Sequence, residues 1–130
     1  MSPVSVLLVA TDPLLRGVLQ RALQRCEDVE IVGTETDGER ALAMARRLAP
    51  DIAVLEVGAR AFAAVEVCAR LVRTKPPIGT RVLLLDDEPP LPRDQAVAAG
   101  AAGCLPATSS SAAICEAVHH LSVGGTIFHS

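Results

Sequence analysis

The chain is poor in aromatic side chains: its 130 residues include neither tryptophan nor tyrosine, and only two phenylalanines. Half of the residues are nonetheless hydrophobic. The core is therefore expected to be aliphatic, built from Val, Leu, Ile and Ala packed between helices and sheet. An excess of one charge sign is also missing. The formal net charge is −3, with acids and bases interspersed, so there is no basic footprint for nucleic acid. Any contact with DNA must come from another segment. No apolar run reaches the roughly 18 to 20 residues needed to cross a bilayer. The N-terminal apolar run is short and has no basic residues before it, so no secretory leader is expected. Cysteine is sparse and scattered. Cys26, Cys68, Cys104 and Cys115 form no CxxC pair, and the expectation is a cytoplasmic protein with buried thiols and no membrane contact.

What is present is an alternation. Val4 to Val9 is β-branched and nearly continuous, which suits a strand buried on both faces. Asp12-Pro13 follows as an N-cap beside a proline at the first helical position. Leu14, Leu15, Val18, Leu19, Ala22 and Leu23 then mark one helical stripe. Val29 to Thr34 reads as a second strand, and Asp37-Gly38 opens a helix that Pro50 stops. Asp51-Ile52-Ala53-Val54-Leu55-Glu56 is the third strand, a short apolar run closed by a carboxylate. A helix with Val65, Ala69 and Val72 ends before Lys75-Pro76-Pro77. Arg81 to Leu85 is a fourth strand, closed by Asp86-Asp87-Glu88, and Pro89, Pro90 and Pro92 stiffen the loop after it. A short alanine-rich helix, a brief strand at Gly103-Cys104-Leu105 and a final helix capped within Ser109 to Ser111 complete the chain up to Gly124-Gly125. Strands alternating with helices five times predict a parallel sheet covered on both faces. The expected fold is a flavodoxin-like (βα)5 doubly wound α/β domain with five strands over residues 1–124. Residues 125–130 are expected to begin a linker to an output domain outside this chain.

In their order and spacing these segments resemble the receiver domain of bacterial two-component response regulators, in the subfamily whose receivers precede a helix-turn-helix DNA-binding domain. The resemblance spans essentially the whole chain. It rests on Leu7-Leu8-Val9 with Asp12-Pro13-Leu14, on Val29-Glu30-Ile31-Val32-Gly33, and on Asp37-Gly38-Glu39-Arg40-Ala41-Leu42. It continues through Ala49-Pro50-Asp51-Ile52, Gly100-Ala101-Ala102-Gly103 and Gly124-Gly125-Thr126. The resemblance implies a phosphoryl relay. An aspartate at the end of the third strand accepts phosphate, two acids after the first strand hold Mg²⁺, and a hydroxyl and a lysine after the fourth and fifth strands bind the phosphoryl group.

Aligned on that pattern, the acid pair falls on Ala10 and Thr11, with Asp12 beside them. The phosphoacceptor position is Glu56, the hydroxyl position Asp86, and the lysine position Ala107, just after Pro106. Ala59-Arg60 and Ala63-Ala64 replace the usual dipeptides after the third strand, and Cys104 stands where the family has an aromatic switch residue. The expectation is therefore a degenerate receiver that needs no cofactor and is not an enzyme. It would serve as a phosphorylation-independent regulatory and dimerisation module of a transcriptional regulator. Its partners would be a second copy of itself, DNA through the output domain, and a small-molecule or protein regulator. A phosphotransfer-competent receiver and a standalone interaction module are the alternatives.

Glu56 itself has two readings, a built-in phosphate mimic or a carboxylate solvated at a strand end. Asp12, Glu56, Asp86 and Asp87 are expected at one sheet edge, where they would bind a cation, be neutralised by Arg60, or stay solvated; pairing or solvation is preferred to a metal site. Cys115 and His119, four apart on the last helix, have the spacing of a metal-ligand pair but lack a third ligand, so a solvated histidine is preferred.

Overall fold

The computed structural model describes residues 3–57, 61–86 and 91–128, without the side chains of 61–63. Arg60 and Asp87, assigned above as a neutralising partner and as a member of the acidic cluster, lie outside the described residues. Six strands form one parallel sheet in the order β2-β1-β3-β4-β5-β6. They are β1 (Val4–Val9), β2 (Val29–Glu35), β3 (Ile52–Val57), β4 (Arg81–Asp86), β5 (Gly103–Pro106) and β6 (Ile127–Phe128). The helices are α1 (Pro13–Gln24), α2 (Gly38–Leu48), α3 (Ala61–Val72), α4 (Arg93–Ala98) and α5 (Ser111–Ser122).

The expected helix starts are where the capping chemistry puts them. Asp12 accepts a hydrogen bond from the Leu14 backbone N–H at 2.9 Å, with Pro13 as the first helical residue. Asp37 accepts from Arg40 N–H at 3.0 Å, and Ser110 from Ala113 N–H at 3.1 Å. Each cap satisfies one of the amide groups that a helix start leaves without a partner. Helix α2 ends at Ala49 in the left-handed conformation, φ 44°, immediately before Pro50.

Alternate strand residues feed two cores, as the twofold period of a strand requires. Val6 and Leu8, Ile52 and Val54, and Leu83 and Leu85 pack against Leu19 and Leu23 of α1 and Ile114, Val118 and Leu121 of α5. Leu7 and Val9, Ala53 and Leu55, and Val82 and Leu84 pack against Leu42 of α2, Cys68 and Leu71 of α3 and Ala96 of α4. The order places β1 between β2 and β3, so the chain winds away from β1 in both directions. The crevice at the carboxyl ends of β1 and β3 is the topological switch point of the sheet.

Two expectations need correction. The sheet has six strands, not five, because Ile127–Phe128 of the expected linker pair with Gly103 and Cys104 of β5. Gly103 makes room for this: a Cβ there would lie 2.8 Å from the Ile127 carbonyl oxygen. Side chains then anchor the tail. The Arg81 Nη2 donates to the Gly125 carbonyl, and the His120 ring N–H to the Thr126 carbonyl at 3.1 Å.

The second correction concerns the thiols. Cys68 and Cys104 are free and buried, but Cys26 and Cys115 form a disulfide with a Cα–Cα distance of 5.4 Å across 89 residues of sequence. The pairing follows from the topology, since α1 and α5 cover the same face of the sheet. No spacing motif announces it.

Gly103→Ala is expected to push β6 off the edge, lowering stability by about 1–3 kcal/mol and exposing the Ile127 amide to hydrogen exchange. Unchanged protection at Ile127 would contradict this account of the edge. Reduction of Cys26–Cys115 should lower the unfolding free energy by about 2–4 kcal/mol, because the bond closes a long loop in the unfolded chain. Urea titrations with and without reductant measure this directly.

Candidate functional site

The switch-point crevice is built by the residues that end β1, β3, β4 and β5. β1 and β3 are in register from Val6–Ile52 to Val9–Leu55, which carries Thr11, two residues past the end of β1, alongside Glu56. Both donors of Thr11 converge on one oxygen. Its backbone N–H and its hydroxyl donate to Glu56 Oε2 at 3.1 and 3.2 Å. A carboxylate accepting two donors from one residue is fixed in direction as well as in charge. Ala10, before Thr11, is buried and donates its N–H to the Glu35 carbonyl of β2 at 3.0 Å. Asp12, after it, is exposed and occupied as the cap of α1.

On the neighbouring strand, Asp86 is only 3% exposed. Its Oδ2 accepts from the Leu91 backbone N–H, just before α4, at 3.0 Å and from the Cys104 thiol at 3.5 Å. Burial, reinforced by the Asp86 charge and by this hydrogen bond, pushes the Cys104 thiol up to about 12. The thiol therefore stays protonated and acts as a donor. Ala107 follows Pro106 at the end of β5 and donates its N–H to the Asp86 carbonyl at 2.7 Å, while its side chain packs on the α1/α5 core.

The structure thus joins Thr11 with Glu56 and Asp86 with Cys104, and the described members of the expected acidic cluster each take a separate partner: Asp12 the Leu14 amide, Glu56 Thr11 and Asp86 the Leu91 amide. No group of three or more His, Cys, Asp or Glu positioned to hold a metal occurs among the described residues. The Cys115/His119 pair is divided in the same way: Cys115 is bonded to Cys26, and the His119 ring N–H donates to the Glu27 carbonyl at 2.8 Å. The partner of Glu56 that sequence reasoning missed is Thr11. The signal that could have found it is the parallel register of β1 and β3, which sets a hydroxyl after the first strand beside a long carboxylate on the third.

A second cavity lies away from this crevice, between α3 and α4. It has a volume of about 510 Å³ and is lined by residues that include Val65, Arg73, Leu91 and Gln95.

No protein-family model matches the chain. Individual proteins do. The signal receiver domain of the response regulator NarL from Mycobacterium tuberculosis superposes with a TM-score of 0.85 and is 32% identical, with 95% of this chain and 99% of that one covered. Response regulator GacA of Pseudomonas aeruginosa is 29% identical over 121 residues, 93% of this chain and 56% of that protein. The transcriptional regulatory protein LiaR of Bacillus subtilis is 27% identical over 123 residues, 93% of this chain and 57% of that protein. The chain therefore spans little more than half the length of these curated relatives.

Thr11→Val removes the hydroxyl donor to Glu56 and keeps the amide and the side-chain volume. It is expected to cost about 0.5–1.5 kcal/mol and to shift the Glu56 carboxyl resonance in NMR. A resonance identical to wild type would mean that the hydroxyl does not hold the carboxylate.

Proposed function

The chain belongs to the receiver-domain family of response regulators, and on that premise we propose that it is a phosphorylation-independent regulatory and dimerisation module of a DNA-binding transcriptional regulator. The observation that carries this reading is the capture of Glu56 by Thr11. In a working relay, the carboxylate at the end of the third strand faces a cation and an incoming phosphoryl group, and the cation offsets charge on the transferring oxygens. Here the same carboxylate is occupied by a neighbour that carries no acid. Mg²⁺ needs near-ideal octahedral oxygen ligation, and Ala10 and Thr11 supply neither carboxylate of the usual pair.

Three further features support the reading. Glu56 is one methylene longer than aspartate, which displaces its oxygens by roughly 1.5 Å from the position an aspartate would hold. Asp86 adds buried negative charge where a dianion would have to bind. Ala107 offers no cation to offset it. Glu56 then serves as a fixed structural charge, not as a phosphate mimic, since its hydrogen bonds turn it toward the loop after β1.

The module would work through contacts. Leu14 and Val18, 82% and 60% exposed on α1, give an apolar surface suited to a second copy of the chain. DNA would be reached only through a segment beyond this one, in keeping with the mixed surface charge and the net charge of −3. No helix among the described residues is long and apolar enough to cross a membrane, and we place the protein in the cytoplasm. A small molecule or a partner protein would supply the input.

The test is incubation with a small phosphodonor such as acetyl phosphate and Mg²⁺, followed by intact-mass measurement. The expected result is an unmodified chain, with Thr11→Asp/Glu56→Asp as a comparison that restores two of the lost ligating groups. An acid-labile phosphoryl adduct on wild-type Glu56, or on any other carboxylate of the pocket, would replace this reading with that of a phosphotransfer-competent receiver.

A further inference from the structure

The seam between α1 and α5 carries chemistry that the switch-point crevice does not use. We propose that Cys26 and Cys115 are a reversible redox modification site, oxidised by low-molecular-weight disulfides of the glutathione class, whose state decides whether α1 and α5 can separate. This inference stands independently of the role proposed for Glu56.

The cysteines meet where the end of α1 reaches the second turn of α5. Other contacts keep the two chain segments close when the bond is open, without fixing their separation. The His119 ring N–H donates to the Glu27 carbonyl at 2.8 Å, fastening the loop after Cys26 to α5. The Val4 N–H donates to the Asp28 carbonyl at 2.7 Å, fastening the same loop to β1. The Cys26 N–H donates to the Leu23 carbonyl at 3.0 Å. Two thiols kept adjacent in this way close a disulfide intramolecularly, with the rate advantage that proximity gives.

Access makes the site selective. Cys115 is only partly buried, so a small disulfide can reach it. Cys68 and Cys104 are buried, and desolvation pushes both thiols up to about 12, which leaves almost no thiolate to react at neutral pH.

The reaction balances as a two-step exchange. The Cys115 thiolate attacks one sulfur of RSSR, forms a mixed disulfide and expels RS⁻, which takes up the proton that Cys115 lost. The Cys26 thiolate then attacks the Cys115 sulfur and expels the second RSH. The two cysteine sulfurs lose two electrons to the reagent, and excess RSH runs the sequence backwards.

The consequence for the fold lies next to the bond. A cleft of about 240 Å³ opens between α1 and α5, and its lining includes Arg25, Ala22, Ile114 and Ala107. Arg25 and Ile114 are the immediate chain neighbours of the two cysteines. The covalent tie therefore fixes two walls of this cleft, and reduction frees them to move.

The test is a titration of the intact chain in glutathione buffers of stepped GSH and GSSG ratio. Samples are acid-quenched, alkylated with a mass-tagged maleimide under denaturing conditions and mapped. Labelling should be lost together at Cys26 and Cys115, with the ratio of oxidised to reduced chain proportional to the GSSG concentration divided by the square of the GSH concentration. Cys68 and Cys104 should keep full labelling. Cys26→Ser should stop at a Cys115–glutathione adduct, and the wild-type titration decides the question should that variant fold poorly. Hydrogen exchange in residues 22–28 and 111–119 should be about tenfold faster in the reduced chain. Intermolecular disulfides, a persistent glutathione adduct on the wild type, or oxidation reaching Cys68 or Cys104 would overturn the assignment. Equal exchange in the two redox states would overturn the claim that the bond controls the seam.

Discussion

A parallel strand in the middle of a sheet has no face to spare for water. β1, β3 and β4 are buried on both sides, so helices must cover each face, and each crossover must return the chain to the same edge of the sheet. This constraint puts α1 and α5 on one face and α2, α3 and α4 on the other. It also aligns the carboxyl ends of four strands along one crevice. The register of β1 on β3 matters most, because a slip of one residue would exchange the two cores. Polar pairs bracket that register at both ends. Ser5 and Asp51 exchange hydrogen bonds of 2.9 and 2.8 Å at the amino ends, and Thr11 and Glu56 are joined at the carboxyl ends. The crevice is therefore specified by the same strand pairing that centres the fold.

The fold was largely legible in the sequence because its signals are local. Apolar runs of strand length and the caps Asp12 and Asp37 are written within a few residues of the elements they define. Where the reading fell short, the cause is non-local. β6 exists because Gly103 leaves room for the Ile127 backbone and because Arg81 reaches Gly125, partners 24 and 44 residues apart. The disulfide joins residues 89 apart. The Thr11–Glu56 pair was half legible: the alignment placed both residues at the crevice, but only the geometry turned one toward the other. The carboxylates expected at this sheet edge illustrate the same point: Asp12, Glu56 and Asp86 each take a separate donor, Leu14 N–H, Thr11 and Leu91 N–H, which no local sequence pattern specifies.

The contrast between Glu56 and Asp86 shows how two carboxylates on adjacent strands are used differently. Glu56 stands partly exposed and is held by a hydroxyl and an amide from a single residue. Asp86 is buried and gathers the Leu91 amide and the Cys104 thiol, while its own backbone carbonyl takes the Ala107 amide. Burying a carboxylate costs several kcal/mol unless hydrogen bonds replace its water, so Asp86 helps hold β4, β5 and Leu91 together. A hydroxyl at that position would bind with less charge and could rotate; a carboxylate so engaged resists reorganisation. The crevice is in this sense occupied by its own side chains.

Helix α1 connects that crevice to the redox-active seam. Its 12 residues span about 18 Å. The amino end is fixed by the Asp12 cap and, one residue earlier, by the grip of Thr11 on Glu56. The carboxyl end runs into Cys26 and its bond to α5. A rigid rod held at both ends cannot move against the sheet; one released at a single end can pivot about the other. With Thr11 and Glu56 still joined, opening of the disulfide leaves the crevice end of α1 as the fulcrum. Displacement is then greatest toward Cys26, while the exposed Leu14 and Val18, nearer the fixed end, shift less. The bond would therefore tune the width of the α1–α5 cleft more than the position of the apolar surface beside the crevice. Local motion at one end of a helix, with the other end clamped by Thr11 and Glu56, gives such a domain a way to change shape through its thiols.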